Sequence, residues 1–196
     1  MIRAVFFDVG ETLVNESRMW AALGARAGLE PHVIWGGVGA SIAQGRKHSD
    51  AWELLGVERP GDMVGLEGAE LYPDADPCLR RLRAEGYFVG LAGNVDRELG
   101  PVVEHFGLEV DWAASSHELG VEKPAPEFFE RLLEVVGRPP AEVAYVGDRI
   151  DNDVTPATAA GMLAVHIRRG PWGYLQRGAS IQIDALDELD PVLANA

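Results

Sequence analysis

The stretch Ala4-Val5-Phe6-Phe7-Asp8-Val9-Gly10-Glu11-Thr12-Leu13-Val14 decides how the rest of the chain is read. Four apolar residues run straight into a carboxylate, and a glycine and a hydroxyl residue follow within four positions. A short apolar run closed by turn residues marks a buried strand, here residues 4–9. In isolation an aspartate after a strand is most often a helix cap or turn residue. What makes Asp8 a candidate for chemistry is the company it keeps further along the chain.

The same pattern recurs. Residues 87–92 (YFVGLA) stop at Gly93-Asn94, a weaker run lies near 110–114, and residues 142–146 stop at Gly147-Asp148. Residues 163–167 end before Arg168-Arg169-Gly170-Pro171, and residues 181–183 add a sixth run. Helical patterns separate them. Asp74-Ala75-Asp76-Pro77 opens one that carries Leu79 and Leu82 and stops at Gly86; others are expected over 96–106, 126–136 and 153–160, and the tail after Asp184 is expected to pack as a helix. Strand and helix alternate from residue 72 onward, which argues for an α/β fold: a Rossmann-like, three-layer core with a parallel sheet covered on both faces. Residues 15–71 break the rhythm. They are expected to form a small helical insert over the strand ends, with helices at 18–27 and 41–55 and a glycine-rich bend at Gly36-Gly37-Val38-Gly39. The core is then 1–14 with 72–196, the insert 15–71, and the hinges lie near Val14-Asn15 and Tyr72-Pro73.

Composition narrows the partners. In 196 residues, 31 acids against 17 bases give a formal charge of −14, which repels nucleic-acid backbones and anionic lipid. Cys78 is the single cysteine, so no intrachain disulfide can form, in keeping with a reducing cytoplasm. No apolar run approaches the roughly 18 residues of a membrane span, and the N-terminal run is broken too early for a signal peptide. The expected protein is soluble and cytoplasmic, with no nucleic-acid or membrane partner. Nothing visible encodes its oligomeric state.

In a parallel sheet, Asp8, Asn94 and Asp148 would all face the crevice at the carboxyl ends of the strands. Lys123, in Gly120-Val121-Glu122-Lys123-Pro124-Ala125-Pro126, lies between the third strand and its helix. Two acids and a lysine converging there suit a divalent cation sharing its oxygen ligands with a bound phosphate. The bias of the chain strengthens the case for Lys123. Of 17 basic residues only Lys47 and Lys123 are lysines, so a compact ammonium is retained where arginine is otherwise preferred.

Asp8 with Thr12, Lys123 before Pro124, and Gly147-Asp148 with Asp153 resemble signature motifs of the haloacid dehalogenase-like hydrolase superfamily, in the family's order. The helical insert is similar to that family's first-position cap. The resemblance implies that Asp8 is a nucleophile forming an aspartyl-phosphate. It implies Mg²⁺ held by the Asp8 carboxylate, the carbonyl of Gly10 and Asp148, with Asp153 orienting a bound water or Lys123. Thr12 and Lys123 would steady the phosphate, joined by the amides of Gly93 and Asn94.

Two positions depart from the pattern. Phosphatases of the family usually carry a second aspartate where this chain has Gly10, and a serine or threonine where it has Gly93. A positioned acid–base group is worth about 10²–10⁴ in rate. Glu11 would point away from the site if the chain there were extended. The expectation is therefore a Mg²⁺-dependent phosphatase of a small phosphorylated metabolite, slow and favouring good leaving groups such as acyl or aryl phosphates. Three alternatives stay open. One is a 2-haloacid dehalogenase; another is a phosphonatase-like hydrolase with Lys47 as Schiff base; the third is a phosphate- or partner-binding protein without turnover. Trp20, Trp35 and Trp52 are expected in the core of the insert. Arg46, Lys47 and His48 form a small basic cluster read as a solvated helix face, and His105, His117 and His166 are given no role.

Overall fold

The computed structural model describes residues 1–61 and 69–196; the part of the expected insert at 62–68 lies outside the described residues. Strand β1 (Ala4–Phe7) turns through residues 8–13 into the short strand β2 (Val14–Asn15), which pairs antiparallel with β3 (Glu70–Leu71). The other runs form β4 (Phe88–Gly93), β5 (Trp112–Ser115), β6 (Val143–Gly147), β7 (Leu163–Ile167) and β8 (Gln182–Ile183). With β1 they make a six-stranded sheet in the order β5-β4-β1-β6-β7-β8. Every neighbouring pair in it is parallel. Because β1 is central, its carboxyl end lies between those of β4 and β6, where a doubly wound sheet opens its ligand crevice.

Alternation along β1 explains the layers. Val5 and Phe7 enter a cluster with Leu79 and Leu82 of α4 (Ala75–Ala84), Val102 of α5 (Gly100–Phe106) and Leu193 of α10 (Leu189–Ala194). Ala4 and Phe6 point the other way, onto Phe128, Phe129 and Leu132 of α7 (Pro126–Val136) and Ala157 of α8 (Thr155–Ala159). Full burial of such a side chain contributes about 1.5–3 kcal/mol, so both faces of the sheet hold their helices firmly. The short helices α6 (Ser116–Leu119) and α9 (Gly170–Leu175) follow β5 and β7.

Between β2 and β3 lie α1 (Ser17–Arg26), α2 (Pro31–Ala43) and α3 (Ala51–Leu54). They share a separate cluster built on Trp20, Ile34, Val38, Ile42 and Trp52, which Trp172 of α9 joins. Trp35 is half-buried against the same cluster. The expected glycine bend at 36–39 is not there, because those residues belong to α2. Ile34, Val38 and Ile42 recur every four residues and are buried, which outweighs the ~1 kcal/mol that each glycine costs a helix. Gly37 also lets α2 approach α3: a Cβ at that position would lie 2.7 Å from Leu55 Cδ1.

Three expected helices have other boundaries. The one expected at 41–55 is divided, because residues 41–43 end α2 and the chain turns at Gly45 (φ +70°) before α3 begins at Ala51. The helix expected at 96–106 starts at Gly100, with Pro101 in its first turn, where a missing N–H costs least. The helix expected at 153–160 is preceded by a wide π-type turn over Ile150–Val154, in which the Arg149 amide donates to Asp153 Oδ2 at 2.9 Å.

Candidate active site

The Lys123 ammonium is the hub of the site. Its Nζ donates to Asp8 Oδ1 at 2.6 Å, to Asp153 Oδ1 at 2.6 Å and to the Tyr145 hydroxyl at 2.9 Å, so its three protons are all used. Tyr145 in turn donates to the Ala92 carbonyl at 2.7 Å. Lys123, Asp148 and Asp153 are buried, and Asp8 is 8% exposed. Burial opposes the charged ammonium, but the Asp153 and Asp8 carboxylates outweigh it and hold its pKa well above the ordinary lysine value.

Asp8, Asp148 and Asp153 bring carboxylate oxygens within 4.8 Å of one another. Burial, followed by the charges of Asp153 and Asp8, pushes Asp148 well above the usual carboxylate range. Asp148 Oδ2 is buried and has no hydrogen-bond partner among the described residues. A divalent cation fits this donor set. With all three carboxylates ionised against one ammonium the site would carry two excess negative charges, which a divalent cation would balance, and an orphaned carboxylate oxygen is the atom a hard cation would take. Asp153 offers less to a cation, since its two oxygens already accept from Lys123 Nζ and the Arg149 amide.

The loop between β1 and β2 doubles back on itself. Leu13 and Val14 N–H groups donate to the Val9 carbonyl at 3.0 and 2.9 Å, and the Glu11 N–H donates to the Val14 carbonyl at 2.7 Å. Glu11 therefore has φ +53°, not the extended conformation assumed from sequence. Its carboxylate accepts from the Tyr72 hydroxyl and, at 3.0 Å, from the Glu16 amide, tying the β2–β3 ribbon to the loop. The same reversal brings Glu16 against Gly10. A Cβ on residue 10 would lie 2.6 Å from Glu16 Oε1, so a carboxylate six residues further on fills the volume a side chain at position 10 would need. Trp20 Nε1 donates to the other oxygen, Oε2, at 3.3 Å. Burial first, then the neighbouring Glu11, raises the Glu16 pKa to about 7.

Asn94, expected to contact substrate, has its side chain bonded to the main chain of Lys123 through both its oxygen and its nitrogen. Thr12 is fully buried, its hydroxyl has no partner among the described residues, and it does not border the cavity above the site. A Cβ on Gly93 would lie 2.9 Å from Asp8 Oδ1, so the glycine leaves room for the carboxylate. Lys47 and His48 border the cavity, whereas Arg46 pairs with Asp50 and Glu53 at the surface. His166 Nε2 lies 3.0 Å from the Asp148 carbonyl and supports that strand end from beneath.

Sequence reading missed Tyr145 and Glu16. Tyr145 left a trace, since a tyrosine inside a buried strand needs a partner for its hydroxyl. Glu16 left none, because its approach to Gly10 is made by a loop whose hairpin course no spacing rule reveals. The cavity that Glu16 borders has a volume of about 460 Å³. The acid–lysine cluster lies at one wall, and Trp20 and Trp35 of the helices between β2 and β3 face it.

Comparison with known proteins agrees with this architecture. The family model described as haloacid dehalogenase-like hydrolase matches residues 2–161. A glyceraldehyde 3-phosphate phosphatase from Methanopyrus kandleri is 30% identical, over 88% of this chain and 86% of its own. A phosphoglycolate phosphatase from Pseudomonas putida is also 30% identical, over 86% of this chain and 70% of its own. Among solved structures, a phosphatase of the superfamily from Thermococcus onnurineus superposes with a TM-score of 0.65 at 25% identity, covering 98% of both chains. With its motifs in order at the strand ends of a parallel sheet, the chain belongs to the haloacid dehalogenase-like hydrolases.

Proposed function

We propose that the protein is a Mg²⁺-dependent phosphatase of a small phosphorylated metabolite, with Asp8 as nucleophile. The observation that carries this reading is the cluster itself: a buried lysine bonded to Asp8 and Asp153, beside an Asp148 oxygen without a partner. Mg²⁺ would be held by the carboxylates of Asp8 and Asp148 and the carbonyl of Gly10. When bound, it would neutralise the phosphoryl oxygens and keep the acids ionised.

The protein's own residues divide the remaining work. Lys123 holds Asp8 in place through Oδ1 and offers positive charge to the transferring phosphoryl group. Asp153 and Tyr145 fix the ammonium, and Asn94 fixes the backbone that carries it. Amides at Gly93 and Asn94 are the remaining candidate phosphate contacts, and Thr12, buried behind the cavity wall, supports the loop that carries Asp8. The insert that carries α1, α2 and α3 acts as a cap that hinges on the β2–β3 ribbon, and Trp20 and Trp35 on that cap border a cavity suited to a metabolite rather than a polymer. A single buried cysteine, Cys78, is compatible with a reducing cytoplasm.

Relatives named for phosphatase activity favour phosphorus over carbon–halogen chemistry, and so does the orphaned Asp148 oxygen, which a metal-free reaction would leave unused. The test is phosphate release with Mg²⁺ from a panel that includes glyceraldehyde 3-phosphate and phosphoglycolate. Release that EDTA and Asp8→Asn both abolish is the expected result. Release untouched by either change, or chloride release from a 2-chloroacid without metal, would overturn the reading.

A further inference from the structure

Position 10 has no side chain, yet its space is not empty. A Cβ there would meet Glu16 Oε1 at 2.6 Å, Cδ at 3.2 Å and Oε2 at 3.7 Å, so the whole Glu16 carboxyl group lies where a longer side chain on residue 10 would begin. The group is aimed, not loose. Trp20 Nε1 holds Oε2 at 3.3 Å, and the Glu16 amide is anchored on Glu11 Oε1 at 3.0 Å. Glu16 borders the same cavity as Asp8, Lys123 and Asp148. Glu11, the other acid in this loop, is engaged through both oxygens, by Tyr72 and by the Glu16 amide. Of the two, Glu16 is the one with an oxygen left to serve a substrate.

We propose that Glu16 is the proton carrier of this site, supplying from the edge of the helical insert the acid–base group that residue 10 lacks; the assignment rests on the phosphatase reading above. In the first step an Asp8 oxygen forms a bond to phosphorus as the bond to the leaving oxygen breaks. That oxygen keeps the electron pair and takes the Glu16 proton, departing as an alcohol. In the second step a water oxygen attacks the phosphorus of the aspartyl-phosphate and gives its proton to the Glu16 carboxylate. The bond between phosphorus and the Asp8 oxygen breaks, releasing inorganic phosphate and restoring both acids. Glu16 immediately precedes α1, so proton delivery depends on where the insert sits, which a carboxylate on the loop of the core would not require.

Leaving-group dependence tests this without relying on loss of activity alone. With Mg²⁺ present, Glu16→Gln, which keeps the shape of the side chain, is compared with the unaltered protein on an alkyl phosphate and on an aryl or acyl phosphate. Alkyl phosphate turnover is expected to fall by about 10²–10⁴, the range for a positioned proton donor, with little change for the good leaving groups. Moving the acid is the second arm: Gly10→Asp combined with Glu16→Ala should recover alkyl turnover lost in Glu16→Ala alone. Gly10→Asp by itself should not improve on the unaltered protein, because Glu16 already supplies the acid at that place. Equal loss on both substrate classes, or no loss on either, would overturn the assignment while leaving the phosphatase reading intact, as would failure of the transferred acid in a variant that melts normally. Failure of the unaltered protein to release phosphate from any substrate would overturn both.

Discussion

Asn94 and Lys123 clasp each other. The Lys123 amide donates to Asn94 Oδ1 and Asn94 Nδ2 donates to the Lys123 carbonyl, each at 2.8 Å. The end of β4 is thereby locked to the loop that carries the ammonium. Asn94→Ala removes both bonds and is expected to cost about 1–3 kcal/mol of stability. It should also lower kcat by roughly 10²-fold, the order expected when a reacting group is misplaced by about 1 Å. Urea unfolding and steady-state kinetics measure the two effects. Unchanged kcat in the folded variant would show that this clasp does not position the lysine.

Lys123 and Tyr145 should differ in cost. Lys123→Met strips the counter-charge from Asp8 and Asp153, and breaking a buried pair from one side costs about 3–5 kcal/mol. Tyr145→Phe removes one contact to Nζ and leaves the Ala92 carbonyl without its donor, for about 1–3 kcal/mol. Urea midpoints at neutral pH without added metal should rank Lys123→Met below Tyr145→Phe. The reverse order would contradict the ammonium as hub.

A hydroxyl at position 93 should not help. The Gly93→Ser Cβ would lie 2.9 Å from Asp8 Oδ1 and 3.4 Å from Val9 Cγ2. The Asp8 oxygen held by Lys123 is then crowded and must shift, so turnover is expected to fall. A rise in kcat/KM in Gly93→Ser would mean that the hydroxyl contact outweighs the crowding.

His48 contributes stability that acid removes. Its ring packs edge-on against Trp20 at 5.4 Å and Trp172 at 6.4 Å. Burial, followed by the charge of Arg149, lowers its pKa from 6.5 to about 4. Between those values the unfolded chain binds more protons than the folded one, so stability rises with pH across that window. The contribution is fully present above pH 6.5 and is lost as pH falls towards about 4. At about 1.4 kcal/mol per unit it amounts to at most about 3.5 kcal/mol. Glu16 and Asp148, whose pKa values are raised, act in the opposite sense in both proteins. The quantity to follow is therefore the stability gap between the unaltered protein and His48→Phe: it should shrink in thermal melts taken from pH 7 down to pH 4, and a constant gap would remove His48 from the account.

The sheet was legible because its signal is local. Apolar runs ending on Asp8, Gly93-Asn94 and Gly147-Asp148 can be read residue by residue, and alternation with helices leaves few arrangements besides a parallel sheet. All six expected runs became strands, and 126–136 and 163–167 kept their expected boundaries. The convergence of Asp8, Lys123, Asp148 and Asp153 followed from that sheet, since parallel strands deliver their carboxyl ends to one edge. Helix α2 was misread because glycine is a local signal for a bend, whereas burial of Ile34, Val38 and Ile42 against neighbouring helices is a tertiary effect and is larger.

By itself, then, the chain's order of residues determined the doubly wound sheet and which acids meet at its edge. Only the tertiary structure decided how those groups are used. It turned the Asn94 side chain onto Lys123, buried Thr12 behind the cavity wall, and filled the space beside Gly10 with Glu16. The physical reason is range: hydrophobic period and turn chemistry act over a few residues. Hydrogen bonds and close packing act over a few ångströms, between residues whose separation along the chain carries no sign of the contact.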